Sequence, residues 1–89
     1  MTINVKAAAV TVGLLWGVLG MFQTGVGNLL FVGYGQAFLD VMASVYPGYA
    51  ATPTVGQVII GALYGLLDGA IVGAAFAWLY NAIAPRLSG

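Results

Sequence analysis

Residues 61–77 read GALYGLLDGAIVGAAFA, and this stretch decides the fold. Five small residues follow one another in it at an unbroken spacing of four. Because side chains four apart lie one above another on a helix, these positions form a surface with almost no side chain. In lipid, where little hydrophobic force acts between helices, such a surface lets another backbone approach closely. We predict a helix-packing surface and call it the glycine seam, which consists of Gly61, Gly65, Gly69, Gly73 and Ala77.

The seam lies in the second of two long apolar runs. Of the 89 residues, 62% are hydrophobic and 4% are charged, whereas a water-soluble domain keeps roughly a quarter of its residues charged. This composition excludes a water-soluble monomer. A helix needs about 20 residues to cross a hydrocarbon core of about 30 Å, and each run is long enough. We therefore predict an all-α membrane protein, an antiparallel two-transmembrane-helix hairpin with spans at about 7–30 and about 53–84.

Local signals support the limits of the second span. Thr52 is a residue type that caps helices, and Pro53 suits the first helical position, where a missing N–H has no partner to lose. Pro85 predicts the end of the span, because proline disrupts a helix interior. The first span carries its own stripe of small residues. Those expected to take part in packing are Gly13, Gly17 and Gly20.

The two stripes allow two kinds of association. They can face each other within one hairpin, or the glycine seam can join two copies of the chain. The pattern does not distinguish these arrangements. A hairpin this small buries little surface by itself, so the partners that we expect are membrane lipid and either further copies in a homo-oligomer or other membrane-protein subunits.

Residues 34–52 connect the spans and show a helical pattern of their own. Apolar residues recur at helical spacing from Tyr34 until Pro47 and Gly48 stop the pattern. This predicts a short amphipathic helix in the outer membrane interface, with a simple continuation of the first span beyond the bilayer as the alternative. Aromatic side chains favour that interface. The predicted interfacial aromatics are Tyr34, Tyr46, Tyr49, Trp78 and Tyr80.

The few charges orient the hairpin. Lys6 and Arg86, the two cations, lie outside the spans at the two chain ends, whereas the connecting segment carries Asp40 and no cation. The positive-inside rule then places both termini in the cytoplasm, and we predict a multi-pass protein of the bacterial inner membrane. A secretory signal peptide is the competing interpretation of the first run, but its apolar core is longer than needed and no Ala-x-Ala site follows it.

Asp68 falls close to mid-membrane in the second span. A charge there costs about 2.5 to 3.5 kcal/mol on insertion scales, so this side chain should face protein or water. We predict a hydrogen bond to Gln23, across the hairpin or between copies, with Thr24 and Tyr64 as neighbours within reach. A structural clamp that fixes helix register is favoured over a proton or ion carrier, because the chain supplies no second titratable group for a relay.

The absence of histidine and cysteine removes most chemistry. Without them the chain has no ordinary general base, no thiol nucleophile, and no ligand set for zinc, haem or an iron-sulfur cluster. We therefore predict no enzymatic activity, no metal and no cofactor. Two cations do not supply the basic footprint that nucleic-acid binding requires, so we expect no nucleic-acid partner.

Three stretches carry a resemblance to a known family: GLLDGAIVG at 65–73, AWLYN at 77–81 and YPGY at 46–49. Together they resemble a family of small two-helix bacterial membrane proteins of unknown function, often labelled holin-like. The resemblance implies a membrane-permeabilising oligomer and brings no catalytic residues. The layout is also similar to the proton-carrying ring subunit of rotary ATP synthases, but there the loop bears an Arg-Gln-Pro segment that faces the cytoplasm, and this loop has none.

These observations lead to one expected function and two alternatives. We expect a non-enzymatic structural or assembly subunit of the membrane that packs through the glycine seam into a homo-oligomer or a larger complex. The first alternative is a holin-like or ion-conducting pore in which Asp68 faces water. The second is an accessory subunit of a respiratory or photosynthetic complex, which would co-purify with larger cofactor-bearing chains.

Overall fold

The computed structural model describes residues 2–87, and within that range every regular element is a helix. Helix α1 runs Val5–Leu30. Asn4 caps it, because its side-chain oxygen accepts a hydrogen bond of 2.9 Å from the Ala7 backbone N–H, one of the groups that the first turn leaves without a partner. Helix α2 spans Gln36–Val45, and helix α3 spans Val55–Leu87.

The middle of α1 is wound more loosely than the rest. Residues Leu15–Phe22 form a π-helix, between α-helical turns at Val5–Leu14 and Gln23–Leu30. Gly17 and Gly20 lie inside this segment, and glycine weakens the α-helical preference of a turn. The helical spacing of the sequence did not predict this change in winding, which alters the direction in which side chains leave the helix.

The chain breaks sharply between α1 and α2. Gly33 has φ 93° and Gly35 has φ 64°, values that favour glycine over residues with a side chain. The chain therefore does not continue α1, as the alternative interpretation of the loop required. Instead α2 turns back along α1, with Leu39 and Met42 buried in a cluster that includes Met21.

Helix α3 begins later and ends later than the sequence signals suggested. Its first turn is capped by Thr54 rather than Thr52: the Thr54 hydroxyl accepts a hydrogen bond of 3.3 Å from the Gln57 backbone N–H. The helix continues through Pro85 to Leu87. A proline in the final turn removes few hydrogen bonds, since little helix remains beyond it.

The two long helices lie side by side and antiparallel. At one end Ile3 and Asn81 exchange two hydrogen bonds: the Ile3 N–H donates to the Asn81 side-chain oxygen at 2.7 Å, and the Asn81 amide donates to the Ile3 carbonyl at 2.8 Å. At the other end a Cβ added at Gly25 would lie 3.3 Å from the Val58 side chain. The described chain is 52 Å long and about 20 Å wide in its other two directions.

The outer surfaces of both long helices are apolar and exposed. In the most apolar stretches of α1 and α3, only 17% and 28% of the residues are buried, so neither helix is enclosed in a core. Leu19, Leu63 and Ile71 are each more than half exposed. Both helices are long and apolar enough to cross a membrane.

Candidate functional site

All five residues of the glycine seam are buried. A Cβ added at Gly65 would lie 2.9 Å from the Gly17 Cα, and one added at Gly69 would lie 2.8 Å from the Gly13 Cα. Real Cβ atoms essentially never approach another heavy atom this closely. The backbones of α1 and α3 therefore pack against each other here because both lack side chains, and α1 of the same chain covers this part of the seam.

The two ends of the seam meet different neighbours. Gly73 faces the Ala8 carbonyl of α1, whereas a Cβ at Gly61 would lie 2.9 Å from the Tyr49 ring. Gly20, which the sequence groups with the packing glycines, does not face α3. The nearest atoms to a Cβ there belong to Trp16 of its own helix, at 3.4 Å. Because Gly20 lies in the π-helical segment, ordinary helical spacing does not predict its direction.

Asp68 is joined to the loop and to α1 by a chain of two hydrogen bonds. The Trp16 indole N–H donates to the Tyr46 hydroxyl at 2.7 Å, and that hydroxyl donates to the Asp68 Oδ2 at 2.7 Å. Burial raises the pKa of the Tyr46 hydroxyl to about 12; the bond from Trp16 acts against this rise, and the Asp68 carboxylate adds to it. At neutral pH the hydroxyl keeps its proton and donates to the carboxylate.

Within one hairpin, the predicted bond between Asp68 and Gln23 is not formed. In the antiparallel pair, Asp68 lies level with Val12 and Trp16, whereas Gln23 is about two turns closer to the loop. The Gln23 amide instead donates to the Tyr34 hydroxyl at 3.1 Å. Thr24, predicted beside Asp68, also lies toward the loop, where its methyl group fills the space next to Gly35. The prediction that Gln23 and Thr24 lie at the depth of Asp68 was wrong. In an antiparallel pair the start of one helix lies beside the end of the other, so the residues level with Asp68 come earlier in α1.

Tyr64 belongs to the same cluster as Asp68, although it does not bond the carboxylate. Its ring stacks on Tyr46 with centroids 5.0 Å apart, and its hydroxyl donates to the Pro47 carbonyl. Tyr49 meets Tyr46 edge-on at 6.4 Å. These contacts fix the end of α2 and the turn after it against α3.

The predicted interfacial aromatics fall into two groups. Tyr34, Trp78 and Tyr80 are exposed, and their assignment to a membrane surface stays a prediction. Tyr46 and Tyr49 differ from expectation, since only 4% and 7% of their surface is exposed. Because the loop folds back along the helices, these two rings pack on protein instead of on headgroups.

A second polar network closes the loop end of the molecule. Asn28 is 1% exposed and donates to the Tyr34 carbonyl at 2.9 Å and to the Gln36 side chain at 3.0 Å. Gln36 in turn donates to Asp40 and to the Ala51 carbonyl. Neither Asn28 nor Gln36 was among the site residues predicted from the sequence. A polar amide inside an apolar span was the available signal, because a buried amide requires partners.

A groove lies beside Asp68 on the surface of the helix pair. It has a volume of about 250 Å³ and is lined by Val12, Trp16, Asp68, Gly69 and Val72. The groove lies beside the contact at which the α1 backbone packs on Gly69. Asp68 is half-buried and supplies the only charged group of this lining.

Residues 2–87 bring together no group of three His, Cys, Asp or Glu side chains that could hold a metal ion. No family model, curated protein or solved structure matches the chain. The likeness to holin-labelled proteins stays a prediction from the sequence alone. A functional conclusion therefore rests on three structural features: the glycine seam, the hydrogen bonds that join Trp16, Tyr46 and Asp68, and the groove.

Proposed function

We propose that the chain is a non-enzymatic integral membrane subunit, a two-span hairpin that serves a structural or assembly role. The observation that carries this proposal is the division of its surfaces. The backbone-to-backbone packing at Gly65 and Gly69 is directed inward, whereas large apolar side chains cover the outside of both long helices. In water that outer surface would drive aggregation, and in a bilayer it is the surface that lipid or another apolar chain covers.

The contacts of α2 support a position that is partly within the membrane. Tyr46 reaches Asp68, which lies within about one turn of the middle of α3, so α2 extends from the outer interface into the membrane along the hairpin. Irregular backbone is tolerated at such depth only where protein satisfies it. Pro47 and Ala50 meet this condition, since Tyr64 donates to the Pro47 carbonyl and the Ala50 N–H donates to Gln57.

The start of α1 and the end of α3 lie at the same end of the helix pair, because Ile3 and Asn81 are hydrogen-bonded. Lys6 and Arg86 lie toward that end, and the positive-inside rule supports a cytoplasmic location for it. An alkaline phosphatase fusion at the C-terminus should be inactive in this orientation and active in the opposite one.

The experiment that tests the structural role measures the mass of the particle extracted gently from native membrane. Self-assembly predicts a mass several times the 9.1 kDa of one chain. A role as an accessory subunit predicts co-purification with larger chains that carry cofactors. A lone 9.1 kDa chain in its detergent micelle, at every extraction condition that preserves helix content, would contradict the proposal.

The groove beside Asp68 favours one second candidate function, an ion-conducting or holin-like pore. Asp68 is half-buried and opens onto the groove, which is how a pore-lining carboxylate meets water. Reconstituted protein should then make vesicles leak, and leakage should be lost in Asp68→Asn but kept in Asp40→Asn. Vesicles that stay sealed at every protein density would reject the pore and leave the structural role unaffected.

A further inference from the structure

The groove beside Asp68 combines a carboxylate, an indole and apolar walls. Trp16 and Val12 contribute from α1, and Asp68 and Val72 contribute from α3. Both helices contribute side chains to this one groove, which lies beside the contact between Gly69 and the α1 backbone. The groove is therefore a product of the fold, and no single helix would form it.

The carboxylate is only partly satisfied by the protein. Its Oδ2 accepts one hydrogen bond from Tyr46, and within residues 2–87 no donor is bonded to its other oxygen. Lys6 and Arg86 lie toward the opposite ends of the helices from the loop and do not pair with it. A charged group in an apolar wall is costly unless an opposite charge or further hydrogen bonds compensate it. A cation in the groove would supply such an opposite charge.

The lining selects the kind of cation. Ca²⁺ and Mg²⁺ need about six oxygen ligands, and one carboxylate between Val12 and Val72 does not provide them. An organic cation gains from the same walls, because its substituents are apolar and its charge is attracted to the face of an indole such as Trp16. The volume of about 250 Å³ is below the roughly 300 Å³ at which pockets for drug-sized ligands begin.

We propose that this groove binds a small organic cation with apolar substituents, of the quaternary ammonium class, with Asp68 as the counter-charge. A free, membrane-soluble cation fits the position better than a lipid headgroup does. Asp68 lies within about one turn of the middle of α3, whereas headgroups begin about 15 Å from the bilayer centre. This binding is independent of the structural role, which does not require a ligand.

The test uses the intrinsic fluorescence of Trp16. The chain has two tryptophans, so Trp78→Phe leaves Trp16 as the single reporter. This protein is reconstituted in phosphatidylglycerol vesicles, which contain no ammonium headgroup, and titrated with tetraethylammonium chloride. We expect a saturable change in Trp16 emission. The binding affinity that it reports should be at least about tenfold weaker in Asp68→Asn and unchanged in Asp40→Asn.

A second variant keeps the test valid if Asp68→Asn fails to fold. Val72 is 54% exposed, so Val72→Phe leaves the helix packing in place while filling the groove, and it should also weaken binding about tenfold. Three outcomes would overturn the proposal: no saturable response, binding in Asp68→Asn and Val72→Phe as tight as in the protein that keeps Asp68 and Val72, or equally tight binding of 3,3-diethylpentane, the uncharged carbon analogue. The proposal would also be overturned if sodium chloride at the same concentration changed the Trp16 emission as much as tetraethylammonium chloride does, since a bare metal ion would then suffice.

Discussion

Replacing Gly69 with leucine is expected to separate α1 from α3. A Cβ at this position would lie 2.5 Å from the Val12 carbonyl oxygen and 2.8 Å from the Gly13 Cα. Overpacking a core costs about 1–3 kcal/mol when side chains can adjust, and occasionally more. Here the obstacle is main chain, which moves only if the helices part. We expect a loss of at least about 3 kcal/mol in the free energy of unfolding, measured by titration with sodium dodecyl sulfate in mixed micelles.

Gly56 provides the matched control for this variant. It lies in the same helix, and a Cβ added there has no heavy atom within 4 Å. Gly56→Leu should therefore leave stability unchanged or raise it by up to about 1 kcal/mol, since leucine favours the helix more than glycine does. Equal stability of Gly69→Leu and Gly56→Leu would show that the seam does not hold the helices together.

The two long apolar helices were predictable because they depend on composition and local spacing. A window of about 20 apolar residues needs no knowledge of the rest of the chain. The small residues at Gly65 and Gly69 likewise repeat every four positions, which places them on one helix face whatever lies opposite. What lay opposite was not predictable, because the pattern suits a second copy as well as α1.

The partners of Asp68 were not predictable from spacing along the helices. Tyr46 comes from the connecting segment, and it reaches the middle of α3 only because the chain reverses at Gly33 and Gly35. The sequence shows these glycines but not their left-handed φ values, so Tyr46 was assigned to the membrane surface. The π-helical winding of α1 was not predicted either, and Gly20, which lies in it, faces Trp16 of its own helix and not the seam.

Replacing Tyr46 with phenylalanine is expected to loosen the loop from the helix pair. The variant keeps the ring that stacks on Tyr64 and removes only the hydroxyl, which accepts from Trp16 and donates to Asp68. A bond to a charged group contributes about 1.5–3 kcal/mol, and a neutral one about 1 kcal/mol. Because the same groups also find hydrogen-bond partners in the unfolded state within a membrane, part of this energy is recovered, and we expect a loss of about 2 kcal/mol in the free energy of unfolding.

Two further variants separate this hydrogen-bond chain from general packing. Tyr80→Phe removes a hydroxyl from a side chain that is 37% exposed, and it should change stability by less than about 0.5 kcal/mol. Asp68→Leu, combined with Tyr46→Phe, should cost less than the sum of the two single changes, because both remove the same bond. The Trp16 emission maximum, read in Trp78→Phe, should shift in Tyr46→Phe as the indole N–H loses its acceptor. Suppose instead that the losses of unfolding free energy in Asp68→Leu and Tyr46→Phe add up in the double variant and that the Trp16 emission maximum does not shift. Tyr46 would then stabilise the fold through its ring alone.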